Sequence, residues 1–413
     1  MTSPSSFGGM RPFGDVLPLD EARCLIDEAV APVSDRELCS LDDAKDRVLA
    51  DDVPAPFDVP GFDRSAMDGY AVRSDALTEA SDAHPVWLEL AGHARPATGP
   101  DADVTSGSCV DIATGAPVPT GADAVVMVER THRDEARVRF TMPATHGDHI
   151  VKRGHDVATG AIVLRRGNVL TPARLGVAAS FGLRALPVLR RPIVALVASG
   201  DELLDASEHT GTPAHGHIYD SNRVMLAAIC EANGAHVRRL PLVRDTIDAW
   251  RAAFDAAAAA DLVVCSGGSS VGERDLCGDI LAERGAVVFH GIAVKPGKPT
   301  AFARIGRQLV LAMPGNPTSC LSNAYLLLRP LVRQLASLPP LPSITRQATL
   351  TRTLTSPIDR LQIHPVRLDG EDAVPMFKGS GDVTSLSDAD GYVEVPTGVT
   401  RIDAGTRVTV VLY

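Results

Sequence analysis

Apolar positions along the chain change their spacing several times. Residues 19–30 place Ala22, Leu25, Ile26, Ala29 and Val30 on one face, which predicts a helix with Asp20 as N-cap. A second helix is predicted from Ser40, where Ser40 and Asp43 resemble a capping box and Leu41, Ala44, Val48 and Leu49 form the apolar stripe. Pro54, Pro56 and Pro60 then favour extended backbone and mark a boundary. Between 87 and 151 the pattern becomes short alternating runs (86–90, 124–128, 137–141) separated by Gly, Pro, Thr and Asp, the mark of a small all-β unit.

After Pro192 the regime changes again. Residues 193–198 are continuously apolar, as in a strand buried on both faces. Helices at 222–233 and 247–260 then alternate with strands at 235–243 and 262–265. A helix ending near Gly285, strands at 287–289 and 309–313 and a long helix at 318–335 follow. Such alternation implies a mostly parallel sheet with right-handed crossovers. From about 341 the chain returns to short β runs, the last at 407–412. The fold class is therefore multidomain α/β: a central, mostly parallel α/β domain, additional small β domains and a mixed N-terminal linker domain.

Composition narrows the function. The chain has 413 residues, enough for about three domains at roughly 150 residues each. Forty basic against 51 acidic residues leave a net charge of −11, which disfavours nucleic acid and anionic membrane as partners. Aromatics at 4% leave few rings for stacking on single strands. Seven cysteines without a C-x-x-C pair fit neither a disulfide framework nor a zinc knuckle and read as reduced core residues. With no apolar leader near the N-terminus and no run of about 18 apolar residues, a cytoplasmic protein is expected.

Ligands of open α/β sheets bind beyond the carboxyl ends of the strands. The segments expected there are Ser199-Gly200-Asp201-Glu202, Arg244-Asp245, Ser266-Gly267-Gly268 running on to Asp275, and Pro314-Gly315-Asn316-Pro317. Neither a P-loop nor G-x-G-x-x-G occurs. Glycine-rich turns before helix N-termini nevertheless suit a phosphate-bearing ligand. Glu202, Asp245 and Asp275 share this predicted edge with Lys295 and Lys298 of Val294-Lys295-Pro296-Gly297-Lys298-Pro299. Carboxylates holding Mg²⁺ beside lysines that neutralise phosphate are the common parts of phosphoryl chemistry.

These motifs resemble those of the molybdopterin molybdenumtransferase family, whose animal relatives include the C-terminal part of gephyrin. Its carriers are Asp58-Val59-Pro60-Gly61-Phe62-Asp63, Ser65-Ala66-Met67-Asp68-Gly69-Tyr70-Ala71-Val72, Thr114-Gly115-Ala116-Pro117-Val118-Pro119 and Arg153-Gly154-His155-Asp156. Further on come Ser199 to Leu203, Ile218-Tyr219-Asp220-Ser221-Asn222, the Ser266 to Asp275 loop, Lys295 to Pro299, Pro314 to Pro317 and, less specifically, Gly379-Ser380-Gly381. Gly291 stands where some members carry a functional lysine.

The resemblance implies insertion of molybdate into adenylylated molybdopterin, with Mg²⁺-dependent cleavage of the adenylate and release of AMP. It places Asp68, Asp156, Glu202, Asp245, Asp275 and Lys295 in the catalytic set, and the shared rim position of the carboxylates Glu202, Asp245 and Asp275 makes those three the expected metal ligands. Thr114, Ser266, Gly267, Gly268, Lys298, Pro314, Gly315, Asn316 and Pro317 are then substrate-binding. Pattern and resemblance together divide the chain into an N-terminal/linker domain (1–58 and 154–187), a small β domain (59–153), the α/β domain (188–340) and a C-terminal β-barrel-like domain (341–413). A homodimer is implied, its cleft formed between the α/β domain of one subunit and the small β domain of the other. Contacts with molybdopterin adenylyltransferase and with molybdoenzyme apoproteins are implied as well. The alternatives are molybdopterin adenylyltransferase itself and a non-catalytic gephyrin-like scaffold, and no residue separates molybdate from tungstate.

Overall fold

The computed structural model describes residues 16–268 and 275–413. Positions 269–274 of the glycine-rich loop, and the N-terminal stretch read as lacking a leader, lie outside them. The chain forms two compact units, one from residues up to 38, 46–48 and 187–413, the other from 39–45 and 49–186.

The first unit is built on a six-stranded sheet. Its strands are β1 (Ile193–Ala198), β2 (His236–Arg239), β3 (Leu262–Ser266), β4 (Ala286–His290), β5 (Ala301–Ile305) and β6 (Gln308–Met313), in the order β2-β1-β3-β6-β5-β4. β2, β1, β3 and β6 run parallel, while β5 and β4 pair antiparallel. Helices α1 (Asn222–Ala232), α2 (Ile247–Ala256), α3 (Leu276–Arg284) and α4 (Pro317–Asn323) complete the alternation. Successive side chains of a strand point to opposite faces. Val194 and Leu196 therefore join one core cluster with α1, and Ala195 and Val197 the other with Trp250 and Phe254 of α2. A strand buried this way has no polar face, which is why 193–198 reads as one apolar run.

Several predicted elements differ in the structure. The first helix spans Leu19–Ala29 with Pro18 as N-cap, so Asp20 sits in the first turn, where its charge favours the helix dipole without capping it. Leu19, Ala22 and Ile26 pack into the α/β core beside Leu226 and Phe289. The second helix does not form. Ser40 does accept the capping contact from Asp43 N–H at 3.2 Å, and its hydroxyl donates to Asp43 Oδ2 at 2.7 Å, but these bonds close a turn. Asp46 then adopts φ +62°, a left-handed conformation that ends any helical path. The long C-terminal helix passes through a π-turn at Ala324–Leu328 before resuming as Arg329–Leu335. Pro330 lacks the N–H that would reach the Leu326 carbonyl, and Arg23 Nε donates to that oxygen instead at 3.5 Å.

The C-terminal part of the first unit is a closed barrel. Leu361–Asp369, Asp372–Pro375, Thr345–Leu350, Arg407–Leu412 and Gly391–Val395 pair in that order, and the last returns to the first. Ala348, Leu350, Val366, Val393 and Val410 fill it. A two-residue strand, Val294–Lys295, adds in parallel to Leu361–Gln362.

The second unit carries a seven-stranded sheet around Gly69–Val72, Val86–Arg95, Ser108–Ile112 and Arg137–Phe140. Two aspartates order the turn at 152–159. Asp58 accepts from Thr159 N–H (2.7 Å), the Thr159 hydroxyl (2.8 Å) and Arg153 Nε (2.5 Å), and Asp63 accepts from Lys152 Nζ (2.9 Å) and Arg153 N–H (2.8 Å). Six of the seven free cysteines are buried as expected, whereas Cys24 is exposed. Among the described residues no helix is long and apolar enough to cross a membrane.

The Thr159 N–H, then its hydroxyl and Arg153, hold the Asp58 carboxyl down at about 2, from an ordinary 3.8. A depressed folded-state pKa stabilises above about pH 4 and loses that contribution as pH falls through 2. D58N should therefore melt below wild type at pH 7, with the gap closing toward pH 2 in thermal unfolding followed by circular dichroism. An equal gap at every pH would contradict this account.

Candidate active site

Register sets the site. Ala198, Ser266 and Met313 lie side by side at the ends of β1, β3 and β6, so the following loops leave the sheet level with one another. The loops are then stitched together. Ser199 N–H donates to Ser266 O (3.0 Å), Gly200 N–H to Val243 O (3.4 Å) and Asp245 N–H to Asp201 Oδ1 (3.3 Å), and the Ser199 hydroxyl donates to Asp245 Oδ1. Gly267 has φ +80°, and a Cβ there would lie 2.3 Å from Ser199 O, so only glycine permits this approach.

Above this rim opens a cleft of about 1460 Å³. Glu202, Asp245, Ser266, Gly267, Gly268, Lys295, Lys298 and all of Pro314-Gly315-Asn316-Pro317 line it. Lys295 and Lys298 are carried on a turn held from two sides. On one, Lys295 pairs with Gln362 of the barrel. On the other, fully buried Asn323 donates to Gly297 O (2.8 Å) and to the Thr300 hydroxyl (2.7 Å). The Pro314–Pro317 loop is fixed similarly, by Asn222 Nδ2 on Gly315 O (2.8 Å) and by Asn316 Nδ2 on the Ser380 hydroxyl (3.2 Å).

The other expected site residues are placed elsewhere. Asp275 is absent from the described wall of the cleft. It caps α3 by accepting from Gly278 N–H at 2.9 Å and lies 3.3 Å from His290 Nε2. Among the described residues no three His, Cys, Asp or Glu side chains converge as a metal cluster, so Glu202, Asp245 and Asp275 do not form a ready-made cage. In the second unit Asp68 Oδ1 accepts from Thr114 N–H at 2.7 Å, because their strands pair with Gly69 opposite Ile112. Asp156 is exposed on the turn that Asp58 and Asp63 order.

Asp201, Arg360 and Phe377 also line the cleft and are not among the expected site residues. Asp201 sits inside the Ser199–Leu203 motif, which points to it. Arg360 and Phe377 come from the barrel, where no motif marks them. Beneath the cleft, buried Arg223 pairs with Asp220, donates to Leu240 O and meets Asp205 at 2.7 Å. The Ser207 hydroxyl and N–H, then Arg223, hold the Asp205 carboxyl down at about 2.

Oxygen-rich loops facing lysines at the carboxyl rim of a parallel sheet define an α/β enzyme that takes its ligand in the crevice beyond the strands. Three family models match in succession: the MoeA N-terminal region (domain I and II) over 17–182, the Probable molybdopterin binding domain over 195–334 and the MoeA C-terminal region (domain IV) over 347–413. Molybdopterin molybdenumtransferase 2 of Mycobacterium tuberculosis is 37% identical over 381 residues, covering 90% of this chain and 93% of the relative. Molybdopterin molybdenumtransferase of Bacillus subtilis is 33% identical over 413 residues, covering 94% and 93%. A crystal structure of a molybdopterin biosynthesis MoeA protein from Pyrococcus horikosii aligns with a TM-score of 0.83 at 34% identity, covering 96% of this chain and 99% of that one. The chain belongs to the molybdopterin molybdenumtransferase family and is a transferase of molybdenum cofactor biosynthesis.

Removing one partner of a buried ion pair strands the other charge, at a cost of roughly 3–5 kcal/mol. R223A should lose about that much stability in urea titration, and R223K should recover little, because one ammonium cannot replace the guanidinium at Asp220, Asp205 and Leu240 O. A change below about 1 kcal/mol would show that the network under the cleft is not structural.

Proposed function

We propose that the cleft of the first unit inserts molybdate into adenylylated molybdopterin, with Mg²⁺-dependent cleavage of the adenylate and release of AMP. The observation that carries this is the meeting of Glu202 and Asp245 with Lys295 and Lys298 in one cleft. Lys295, Lys298 and the neighbouring Arg360 would offset the charge of phosphate and of the incoming oxyanion. Without side chains, Gly267 and Gly268 let backbone N–H groups approach those oxygens closely. Preorganised charge of this kind is usually the largest catalytic contribution.

The donors present fit Mg²⁺. Glu202 and Asp245 supply hard carboxylate oxygens on adjacent loops, and Asp275, at the start of α3, is the third candidate. Mg²⁺ is commonly held by one or two carboxylates with water and substrate phosphate filling its shell, which these loops allow without a protein cage. When bound it would neutralise the phosphate. Tungstate remains an alternative cargo of the same charge, and the adenylate would come from the adenylyltransferase and the product pass to apoproteins in the cytoplasm.

A homodimer completes this reading, with Asp68, Thr114 and Asp156 of one copy serving the cleft of the other. All three are exposed on the second unit, and the described cleft wall comes from the first unit alone.

E202Q and D245N should each lower molybdate insertion on the order of 10²-fold in a purified assay. Near-normal rates in both would remove the cleft from the reaction. The shared site has its own readout. Inactive E202Q and D68N preparations, unfolded and refolded together, should regain about a quarter of wild-type activity, because half the dimers are mixed and each holds one intact site. No recovery would place each site within one chain.

A further inference from the structure

We propose that Phe377 is the stacking platform for the planar nitrogen heteroaromatic ring, adenine or pterin, of the ligand bound in this cleft; the inference rests on the proposed function, whose substrate carries both rings. The rim and the lysine turn supply what phosphate and oxyanion need, but a ring binds through its face. Two aromatic side chains line the described cleft, Tyr219 and Phe377. Tyr219 has its hydroxyl committed to Gly211 O at 2.9 Å.

Phe377 is half-buried and held from behind. His364, 6% exposed, meets its ring edge to face, with centroids 6.0 Å apart and planes at 83°. Both backbone neighbours are pinned: Met376 N–H donates to Pro365 O (2.9 Å) and Lys378 N–H to the hydroxyl of fully buried Ser385 (3.2 Å). A ring fixed in this way loses little freedom when a ligand lies on it. Arg360, four residues before His364 on the same stretch, brings a cation to the same cleft. An aromatic face and a guanidinium in one cleft can hold a base and its phosphate together.

Loss of a stacked base typically weakens binding by roughly 5- to 150-fold. The test is calorimetric titration of the full chain with AMP, ribose 5-phosphate and 6-carboxypterin, using wild type, F377L and F377W. F377L keeps apolar volume without a π-face. It should weaken AMP or 6-carboxypterin by about tenfold or more and leave ribose 5-phosphate unchanged, and the ring that responds identifies the stacked group. F377W should restore that affinity, with its indole emission quenched by the same ligand. Unchanged affinity of F377L for both rings would overturn the platform while leaving the proposed function standing, and so would an equal loss for ribose 5-phosphate. Wild-type protein binding neither ring would sink the proposed function and the platform with it.

Discussion

The rim of the cleft depends on the lateral register of three buried strands. β1, β3 and β6 each send alternate residues into opposite cores, so a slip of one residue would exchange every side chain between two packed faces. Held against slipping, the strands end at a common height. The loops that follow become neighbours, and their N–H groups, hydroxyls and carboxylates are brought within hydrogen-bonding distance of one another. The requirement for glycine at 267 is a local expression of the same constraint, since it is there that two such loops nearly touch.

The sheet alone does not finish the cleft. The turn bearing Lys295 and Lys298 takes its direction from a barrel strand and from Asn323 in α4. The barrel also contributes Arg360, Phe377 and the Ser380 hydroxyl that meets Asn316. Sequence-distant stretches thus share one wall, which suits a ligand with several charged and aromatic parts better than a small metabolite.

How much of this was legible in the sequence follows from how local each cause is. Runs such as 193–198 and 309–313 announce buried strands because no polar residue is tolerated on either face, and the rim motifs followed from where those strands end. The Ser40 signal misled because its capping contacts are real but purely local, and the backbone at Asp46 decides against a helix. Asn323 reads as any polar residue of a helix until the Lys295 turn is seen folded against it. Arg360 and Phe377 lie near ordinary barrel strands, and only tertiary packing turns them toward the cleft. Asp275 is marked by its motif, but the cap that its Oδ1 gives to Gly278 N–H is visible only in the structure.

The two-residue graft of Val294–Lys295 onto the barrel has a practical bearing on how the molecule could be dissected. A boundary drawn near residue 340 would look natural, since an α/β layer ends there and a β barrel begins. Cutting at that point would leave the lysine turn without its strand partner and Thr318 N–H without the Ser380 carbonyl it reaches at 3.1 Å. The excised α/β layer would then be a fragment with an open seam and not a minimal catalyst, and the barrel is better regarded as the far wall of the same room than as an appended module.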